Sequence, residues 1–343
     1  MRRLLNTLFV LSEDAYLALE GENVLVLRGE KQAARFPLHT LEGIAYFGYK
    51  GASPALMGAC AQRGVSLVFL TPRGRFLARV LGEGSANVLL RRAQYRMADD
   101  PWASCRMARG FLCGKLYNAR WVLERAVRDH ALRLDVAGLK KVSGQIQELL
   151  QRVMGAESLE ELRGLEGKGA ALYFCALDAL ILRNKDVFSL VARTRRPPQD
   201  PMNALLSFLY MLLSNDCAGA LESVGLDSYV GFLHRDRPGR ASLALDLMEE
   251  LRPVVADRLA LTLVNRQELS GAHFRYEQSG AVFLNEEGRK VVLSAWQERK
   301  KQGITHPYLG EKLPWGLVPY VQALLLARAV RGDLDEYAPF FWK

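Results

Sequence analysis

The sequence lacks the cysteine patterns of disulfide-stapled domains and of zinc sites. Its 343 residues include five cysteines, an odd number, and no two of them stand in a C-x-x-C pair. A disulfide framework needs cysteines that can pair, and a structural zinc site needs closely spaced ligands. The sequence indicates neither and favours reduced thiols in a cytoplasmic protein.

Long apolar runs are also absent. The longest uncharged runs, residues 201–215 and 313–327, contain proline and polar residues. Both are shorter than the roughly 20 apolar residues that cross a bilayer. The first apolar run contains Asn6 and Thr7, and Glu13 and Asp14 follow it without a small-residue cleavage site, unlike a signal peptide. We therefore expect no membrane span and a cytoplasmic location.

Common nucleotide-binding and hydrolase motifs are missing. The sequence has no G-x-x-x-x-G-K-[ST], no G-x-G-x-x-G between a strand and a helix, and no G-x-S-x-G. A glycine-rich stretch at 164–169 follows a helix cap and not a strand, so a phosphate cradle is not expected there. These absences argue against P-loop, dinucleotide-binding and α/β-hydrolase proteins.

The composition is that of a globular protein with an excess of basic residues. Half of the residues are hydrophobic and 24% are charged, which argues against disorder. Lys and Arg number 46 against 37 Asp and Glu, a formal net charge of +9. Such a surplus suggests a polyanionic partner, either nucleic acid or an acidic membrane surface.

The pattern of the chain changes from strand to helix near residue 84. Alternating apolar runs predict strands at 15–20, 24–28, 33–37, 41–46, 65–70 and 75–81. Ser53, Pro54 and Gly64 predict a helix between them. After a turn at 71–74 and a flexible stretch at 82–85, helical patterns follow at 88–97, 100–130, 205–213, 242–264 and 316–330, and an S-x-x-E capping box begins at Ser158.

The predicted fold class is therefore a two-domain α+β protein. An N-terminal β-rich domain spans residues 1–84, and a larger all-α domain spans 85–343.

An acidic cluster in the predicted helix at 242–264 is a candidate cation site. Asp246 and Glu249 are three residues apart and can share a helix face, although the spacing slightly favours the pair Asp246 and Glu250. Two carboxylates on one face repel each other unless a cation lies between them. A solvated acidic face is the alternative.

His234 and Glu166 could complete such a site. His234 precedes the polar loop 235–240 and the acidic helix. Glu166 lies among Gly164, Gly167 and Gly169, which cost ~1 kcal/mol each in a helix. The glycines indicate either close approach of a ligand or backbone, or a break between two helices. A mixed oxygen and nitrogen site suits Mg²⁺ or Mn²⁺, and such centres act on phosphodiesters.

Four motifs occur together in a fixed order: R-G-L-E-G at 163–167, R-P-P-Q-D-P-M-N-A-L-L-S at 196–207, G-F-L-H at 231–234 and S-L-A-L-D-L-M-E-E-L-R-P at 242–253. In these motifs, and in its β-then-α order, the chain strongly resembles the CRISPR-associated adaptation endonucleases. Those proteins are the integrases that insert new spacers into CRISPR arrays. The resemblance covers nearly the whole chain, and its C-terminal end resembles the type I-C branch.

The resemblance implies which residues carry the chemistry. By motif, the metal ligands are Glu166, His234 and Glu249, with Mg²⁺ or Mn²⁺ as the cofactor. Asp246 matches a second acidic position that supports catalysis in some members. The motif thus favours Glu249 over Glu250, which we expect to be solvated.

The resemblance also implies an assembly. The β domain is expected to form a homodimer, and two dimers are expected to flank one dimer of a small ferredoxin-like partner nuclease. The substrates are expected to be double-stranded DNA, both the spacer precursor and the CRISPR array. Four basic residues are candidate DNA-backbone contacts, although solvated surface is an equal alternative for them: Arg195, Arg196, Arg299 and Lys300.

The expected activity is that of a metal-dependent DNA endonuclease and integrase in antiviral defence. The 3′-hydroxyl of a short duplex would attack a phosphodiester of the array, and water would replace it in cleavage. Two alternatives come from other classes. A non-catalytic nucleic-acid scaffold would show no metal-dependent nicking of a plasmid, and a protein adaptor would not bind DNA at physiological salt.

Overall fold

A computed structural model of the chain describes residues 7–29, 31–41, 43–71, 76–82 and 88–343. Most of the predicted turn at 71–74 and the predicted domain boundary at 84/85 lie outside the described residues. The chain forms two compact units. The first comprises Met1–Ala86, Val292–Gln302 and Pro314–Leu317, and the second comprises Asn87–Val291, Gly303–Leu313 and Val318–Lys343. The exact domain bounds and the dimerising role of the first domain stay predictions.

The described residues of the first unit contain two sheets. One is mixed and has the order β1 (Thr7–Val10), β5 (Gly43–Phe47), β6 (Ser66–Leu70) and β7 (Phe76–Val80). β5 runs parallel to both β1 and β6, and β7 returns antiparallel to β6. The other is an antiparallel meander of β2 (Ala15–Glu20), β3 (Asn23–Arg28) and β4 (Lys31–Pro37). These strands follow the predicted pattern closely.

One helix, α1 (Pro54–Arg63), joins the two sheets in a common core. The Ser53 side chain accepts a hydrogen bond from the Leu56 amide, and Gly64 ends the helix with a φ of 63°, as its sequence predicts. Side chains from both sheets and from the helix share this core, among them Leu17, Val24, Ile44, Leu56 and Leu67.

From residue 88 onward the structure is mainly helical. Its helices are α2 (Val88–Asp99), α3 (Pro101–His130), α4 (Val136–Gly155), α5 (Leu159–Ala179), α6 (Pro201–Ser223), α7 (Ser242–Leu251), α8 (Arg258–Asn265), α9 (Glu286–Lys301) and α10 (Val318–Arg331). The long helix α3 packs against α4, α5 and α7. The order of strands followed by helices confirms the predicted fold class. Short strands interrupt the helices and were not predicted: β8 (Phe274–Tyr276), β9 (Val282–Leu284), β10 (Gly303–Thr305) and β11 (Lys312–Pro314).

Helix α5 is continuous through its glycines, so the interpretation of a helix break there is wrong. Ser158 caps the helix by accepting from the Glu161 amide. Gly169 lies against Leu116 of α3, whereas Cβ atoms added at Gly164 and Gly167 would meet nothing within 4 Å. Close approach therefore explains one of the three glycines.

The predicted single helix at 242–264 contains a π segment. Residues Arg252–Asp257 form it between α7 and α8, and Pro253 lies within it. Proline has no N–H, so the α-helical hydrogen bond to the Glu249 carbonyl cannot form. The backbone hydrogen bonds change from the α-helical to the π-helical pattern there.

Helix α6 is long and apolar enough to cross a membrane by length and composition alone. However, 67% of its apolar 18-residue window is buried inside the structure, as in a core helix. Its length and composition are therefore explained by its place in the core.

Candidate active site

Three elements of the second unit bring the predicted acidic and histidine residues together. Helix α5 supplies Glu166, α7 supplies Asp246 and Glu249, and the loop before α7 supplies His234. The His234 Nε2 atom lies 3.8 Å from Glu249 Oε1. Lys115 of α3 joins the cluster, because its ammonium group pairs with Glu166 Oε1 and lies 2.8 Å from Glu249 Oε2. Residues more than a hundred positions apart therefore meet at one place.

Asp246 organises the loop that carries His234. It is completely buried, and its Oδ2 atom accepts hydrogen bonds from the amides of Phe232 and Leu233 at 2.6 and 3.0 Å. Its Oδ1 atom accepts from the His234 amide at 3.0 Å and lies 2.6 Å from His234 Nδ1. A carboxylate at Nδ1 keeps the proton there and leaves Nε2 as the lone-pair nitrogen. Asp246 thus acts on the site through His234.

The loop needs a glycine before Phe232. A Cβ atom at Gly231 would lie 2.8 Å from Ser242 Cβ and 2.9 Å from Asp246 Oδ2. The first residue of the G-F-L-H motif therefore lets the loop backbone approach α7 closely enough for Asp246 to bind it.

Glu249 is a buried carboxylate held by cations. Arg252 Nη1 lies 3.0 Å from its Oε1 atom, while Lys115 faces its Oε2 atom. Burial alone would raise the pKa of Glu249, but the charges of Arg252 and Lys115 outweigh it and lower the pKa to about 2. Glu249 therefore stays ionised at neutral pH, as a ligand for a cation must.

The expectation that Glu250 is solvated is wrong. Its side chain is completely buried on the other side of α7. It accepts hydrogen bonds from Tyr337 Oη, from Gln322 Nε2 at 2.8 Å and from the Phe340 amide at 2.7 Å. The neighbouring carboxylates have separate surroundings because successive helix residues point about 100° apart. The structure thus places Glu249, and not Glu250, beside His234.

Part of the cluster lines a basic cavity of about 290 Å³. Glu166 and His234 line it together with Leu233 and four arginines: Arg163, Arg235, Arg237 and Arg240. Arg235 and Arg237 are exposed, whereas Arg163 donates from Nε to the Leu233 carbonyl at 2.9 Å. Burial and the nearby charge of Arg235 lower the pKa of Arg163. Arginines crowded around an opening are suited to bind a phosphate-containing ligand.

The residues present fit a divalent cation by their chemistry. Two carboxylates and an imidazole nitrogen suit Mg²⁺ or Mn²⁺. Glu249 Oε2 is buried, and its contact with Lys115 is an ion pair without hydrogen-bond geometry. Within the described residues, no three His, Cys, Asp or Glu side chains are close enough to hold a metal ion as they stand. Lys115, which pairs with both glutamates, lies where they would otherwise converge.

Comparison with known proteins decides the family. Residues 8–298 match the family described as CRISPR associated protein Cas1. The chain belongs to the Cas1 family. It is 51% identical over 347 aligned residues to the CRISPR-associated endonuclease Cas1 2 of Rhodospirillum rubrum, and the alignment covers all of both proteins. This membership confirms the predicted CRISPR adaptation integrase and endonuclease, whereas the type I-C branch stays a prediction.

Solved structures share the Cas1 fold. A casposase bound to its integration product aligns with a TM-score of 0.84 and 22% identity, covering 98% of this chain and 94% of the casposase chain. A Cas6-RT-Cas1–Cas2 complex aligns with a TM-score of 0.79 and 23% identity, covering 98% of this chain and 36% of the other. At these identities the likeness shows the fold alone.

The candidate DNA contacts of this Cas1-family chain differ in accessibility. Arg195 and Arg196 are exposed between α5 and α6. The Arg299 guanidinium lies 4.6 Å from the centre of the Trp315 ring. Lys300 is buried, an unfavourable position for a phosphate contact.

Sequence reasoning missed several residues of the site. Arg252, three residues after Glu249 on the helix, could have been found by spacing. Arg235 and Arg237 lie in the polar loop after His234, which the pattern had singled out without a role. Lys115 gave no signal, because it is one lysine in the middle of a long helix whose partners lie far away in the sequence.

Proposed function

We propose that Glu166, His234 and Glu249 hold Mg²⁺ or Mn²⁺ and that this centre catalyses DNA strand transfer during CRISPR adaptation. The observation that carries the proposal is that Glu166 and His234 line a cavity together with four arginines, while Glu249 lies 3.8 Å from His234 and shares the Lys115 ammonium with Glu166. When bound, the metal supplies charge stabilisation at the phosphate and lowers the pKa of the attacking hydroxyl.

The protein's own residues prepare the site for this metal. Asp246 keeps the proton on Nδ1 of His234, so Nε2 presents its lone pair toward Glu249. Arg252 and Lys115 keep Glu249 ionised. We infer that Asp246 is a positioning residue for His234 and not itself a ligand, since protein hydrogen bonds occupy both of its oxygens.

The arginines provide the substrate side of the site. We propose that Arg235, Arg237 and Arg240 bind the phosphates on either side of the reacting bond and so orient it toward the carboxylates. The 3′-hydroxyl of a short duplex is the nucleophile in integration, and water is the nucleophile in cleavage. Arginine contacts to phosphates carry no sequence information, which suits a protein that accepts foreign DNA.

The proposed assembly follows from the family. We propose that the protein acts on double-stranded DNA as a homodimer, together with a small ferredoxin-like partner nuclease, in the cytoplasm. The casposase aligned above is bound to an integration product, and the other aligned structure contains both Cas1 and Cas2. The proposal for this chain rests on its membership of the Cas1 family.

A strand-transfer assay tests the function. The substrates are a supercoiled plasmid that carries a CRISPR array and a labelled short duplex, with Mn²⁺ and with or without the partner protein. Replacing Glu166, His234 or Glu249 with alanine should lower strand transfer at least about 100-fold, while Asp246→Asn should lower it about 10- to 100-fold.

The matched control is Glu148→Ala, which removes an exposed carboxylate from α4 outside the cavity. It should transfer strands at the parent rate. Near-parent activity of any one alanine variant of the three ligands would show that its residue does not hold the metal.

A further inference from the structure

Lys115 lies at the centre of the carboxylate cluster, and its part in the proposed chemistry so far is only to keep Glu249 ionised. Its side chain is only 10% exposed, in the middle of α3. The ammonium group contacts Glu166 Oε1 and lies 2.8 Å from Glu249 Oε2. Burying an ammonium without a partner costs several kcal/mol, and here two carboxylates lie against it.

The two carboxylates depend on Lys115 in turn. Glu166 and Glu249 both meet the same ammonium group, and without a cation their charges would repel each other. Arg252 contacts the other oxygen of Glu249, Oε1, at 3.0 Å. Lys115 is therefore the cation that links the two glutamates across α3, α5 and α7.

An ammonium group and a divalent metal would compete for the same pair of carboxylates. Mg²⁺ would need carboxylate oxygens at ~2.0–2.1 Å in strict geometry, so a metal held by Glu166 and Glu249 would displace an N–H donor that lies between them. We propose that Lys115 is a positioning residue that acts as a resident cation. It holds Glu166 and Glu249 together in the metal-free protein and gives up this contact when the metal binds.

A lysine suits this role better than an arginine would. Its ammonium is a compact point charge on a flexible four-carbon stem, so it can withdraw while the helix stays in place. The site thus remains folded without metal, and the competition weakens metal affinity. This inference rests on the proposed function, because it takes Glu166 and Glu249 to be ligands.

The test measures metal binding and metal-free stability, neither of which requires catalysis. Mn²⁺ is titrated by calorimetry into the full-length parent and into Lys115→Met, and thermal unfolding is followed in the presence of a chelator. Loss of the competing ammonium should tighten Mn²⁺ binding about tenfold, and the unneutralised carboxylates should lower the unfolding temperature without metal.

Lys168→Met is the matched control. Lys168 is exposed on α5, two residues after Glu166, so its replacement removes the same charge from nearby without touching the carboxylate pair. This variant should resemble the parent in both measurements. Lys115→Gln retains N–H donors for the glutamates without the charge. If Lys115→Met does not fold, Mn²⁺ binding to Lys115→Gln shows whether the Lys115 charge competes with the metal.

The outcomes separate the two proposals. If the Lys115 variants bind Mn²⁺ no more tightly than Lys168→Met, Lys115 is only a structural ion-pair partner and the inference is wrong. If the parent and every variant show no saturable Mn²⁺ binding, the proposed metal centre fails instead.

Discussion

Two adjacent glutamates on α7 have opposite tasks. Glu249 faces two cations and His234, and its low pKa keeps it charged. Glu250 faces the C-terminal segment through Tyr337 and Phe340. The stability that the Glu249 ion pairs contribute is present above the ordinary glutamate pKa and is lost as the pH falls toward 2. A substitution at one position therefore tests chemistry, and a substitution at the next tests the fold.

Glu250 should make the protein less stable as the pH rises. Burial raises the pKa of Glu250 from 4.5 to about 7, against the hydrogen bonds from Tyr337, Phe340 and Gln322. A raised folded-state pKa gives stability that is complete below 4.5 and lost as the pH rises through 7. The difference amounts to about 3 kcal/mol. Chemical denaturation between pH 4 and 8 measures it.

Glu250→Gln provides the comparison, because it has the same shape and does not titrate. Its free energy of unfolding should vary less between pH 4.5 and 7 than that of the parent. Parallel pH profiles for the two proteins would mean that Glu250 titrates normally despite its burial.

At the scale of elements, the contact between α3 and α7 depends on a glycine. A Cβ atom at Gly114 would lie 2.7 Å from Glu250 Cβ and 3.3 Å from Pro339 Cβ. The two helices can therefore approach closely, which brings Lys115, the next residue of α3, within reach of Glu249. Helix propensity alone would favour alanine at this position.

Gly114→Ala and Gly164→Ala should have opposite effects on thermal unfolding. The first overpacks the contact between α3 and α7 and should cost ~1–3 kcal/mol. The second adds a methyl group where nothing lies within 4 Å and should stabilise α5 by up to ~1 kcal/mol. Equal stabilisation by both substitutions would show that the contact at Gly114 is looser than the structure has it.

Local sequence signals predicted an element well where the residues that begin and end it are adjacent to it in the sequence. Ser53, Gly64 and the proline after Asp100 fixed two helices, because capping is a short-range interaction. The continuity of α5 was not predicted, since its contact with α3 offsets the cost of Gly169. The small strands β8–β11 have three residues each, too few for a recognisable period.

The candidate site was predicted through its motifs and not through spacing. Spacing slightly favoured Glu250 over Glu249, and the motif reversed that preference. The burial of Glu250 depends on Gln322 and Tyr337, which lie more than seventy residues away in the sequence. Lys115 was not predicted for the same reason, because its partners Glu166 and Glu249 are also distant in the sequence. Long-range contacts of this kind leave no local pattern.

For the whole molecule, the net charge of +9 predicts binding that weakens steeply with salt. On duplex DNA the logarithm of the affinity should fall linearly with the logarithm of salt concentration, by about 0.9 per phosphate contacted. Arg235→Ala with Arg237→Ala should reduce this slope by nearly 2, and the exposed pair Arg195→Ala with Arg196→Ala should reduce it as well. Fluorescence anisotropy at several salt concentrations gives each slope.

Lys141→Ala with Arg152→Ala is the control for this measurement. Both residues are exposed on α4 and do not line the cavity, so their loss removes equal charge and should leave the slope unchanged. If all three double variants reduce the slope equally, binding reflects the overall charge and not particular contacts.

The π segment after α7 changes the rotational phase of the helix. In a regular α-helix Asp257 would point within about 20° of the direction of Asp246. One extra residue in the same turns sets every later side chain back by about 100°, which turns Asp257 toward the direction of Glu249. The contacts agree, since Asp257 accepts from Tyr210 at 2.7 Å and lines a small cavity with Lys115 and Arg252. Deleting one residue from Arg252–Asp257 would restore the regular phase of the helix. The Asp257 carboxylate would then point away from Arg252 and toward the side of the helix that faces His234.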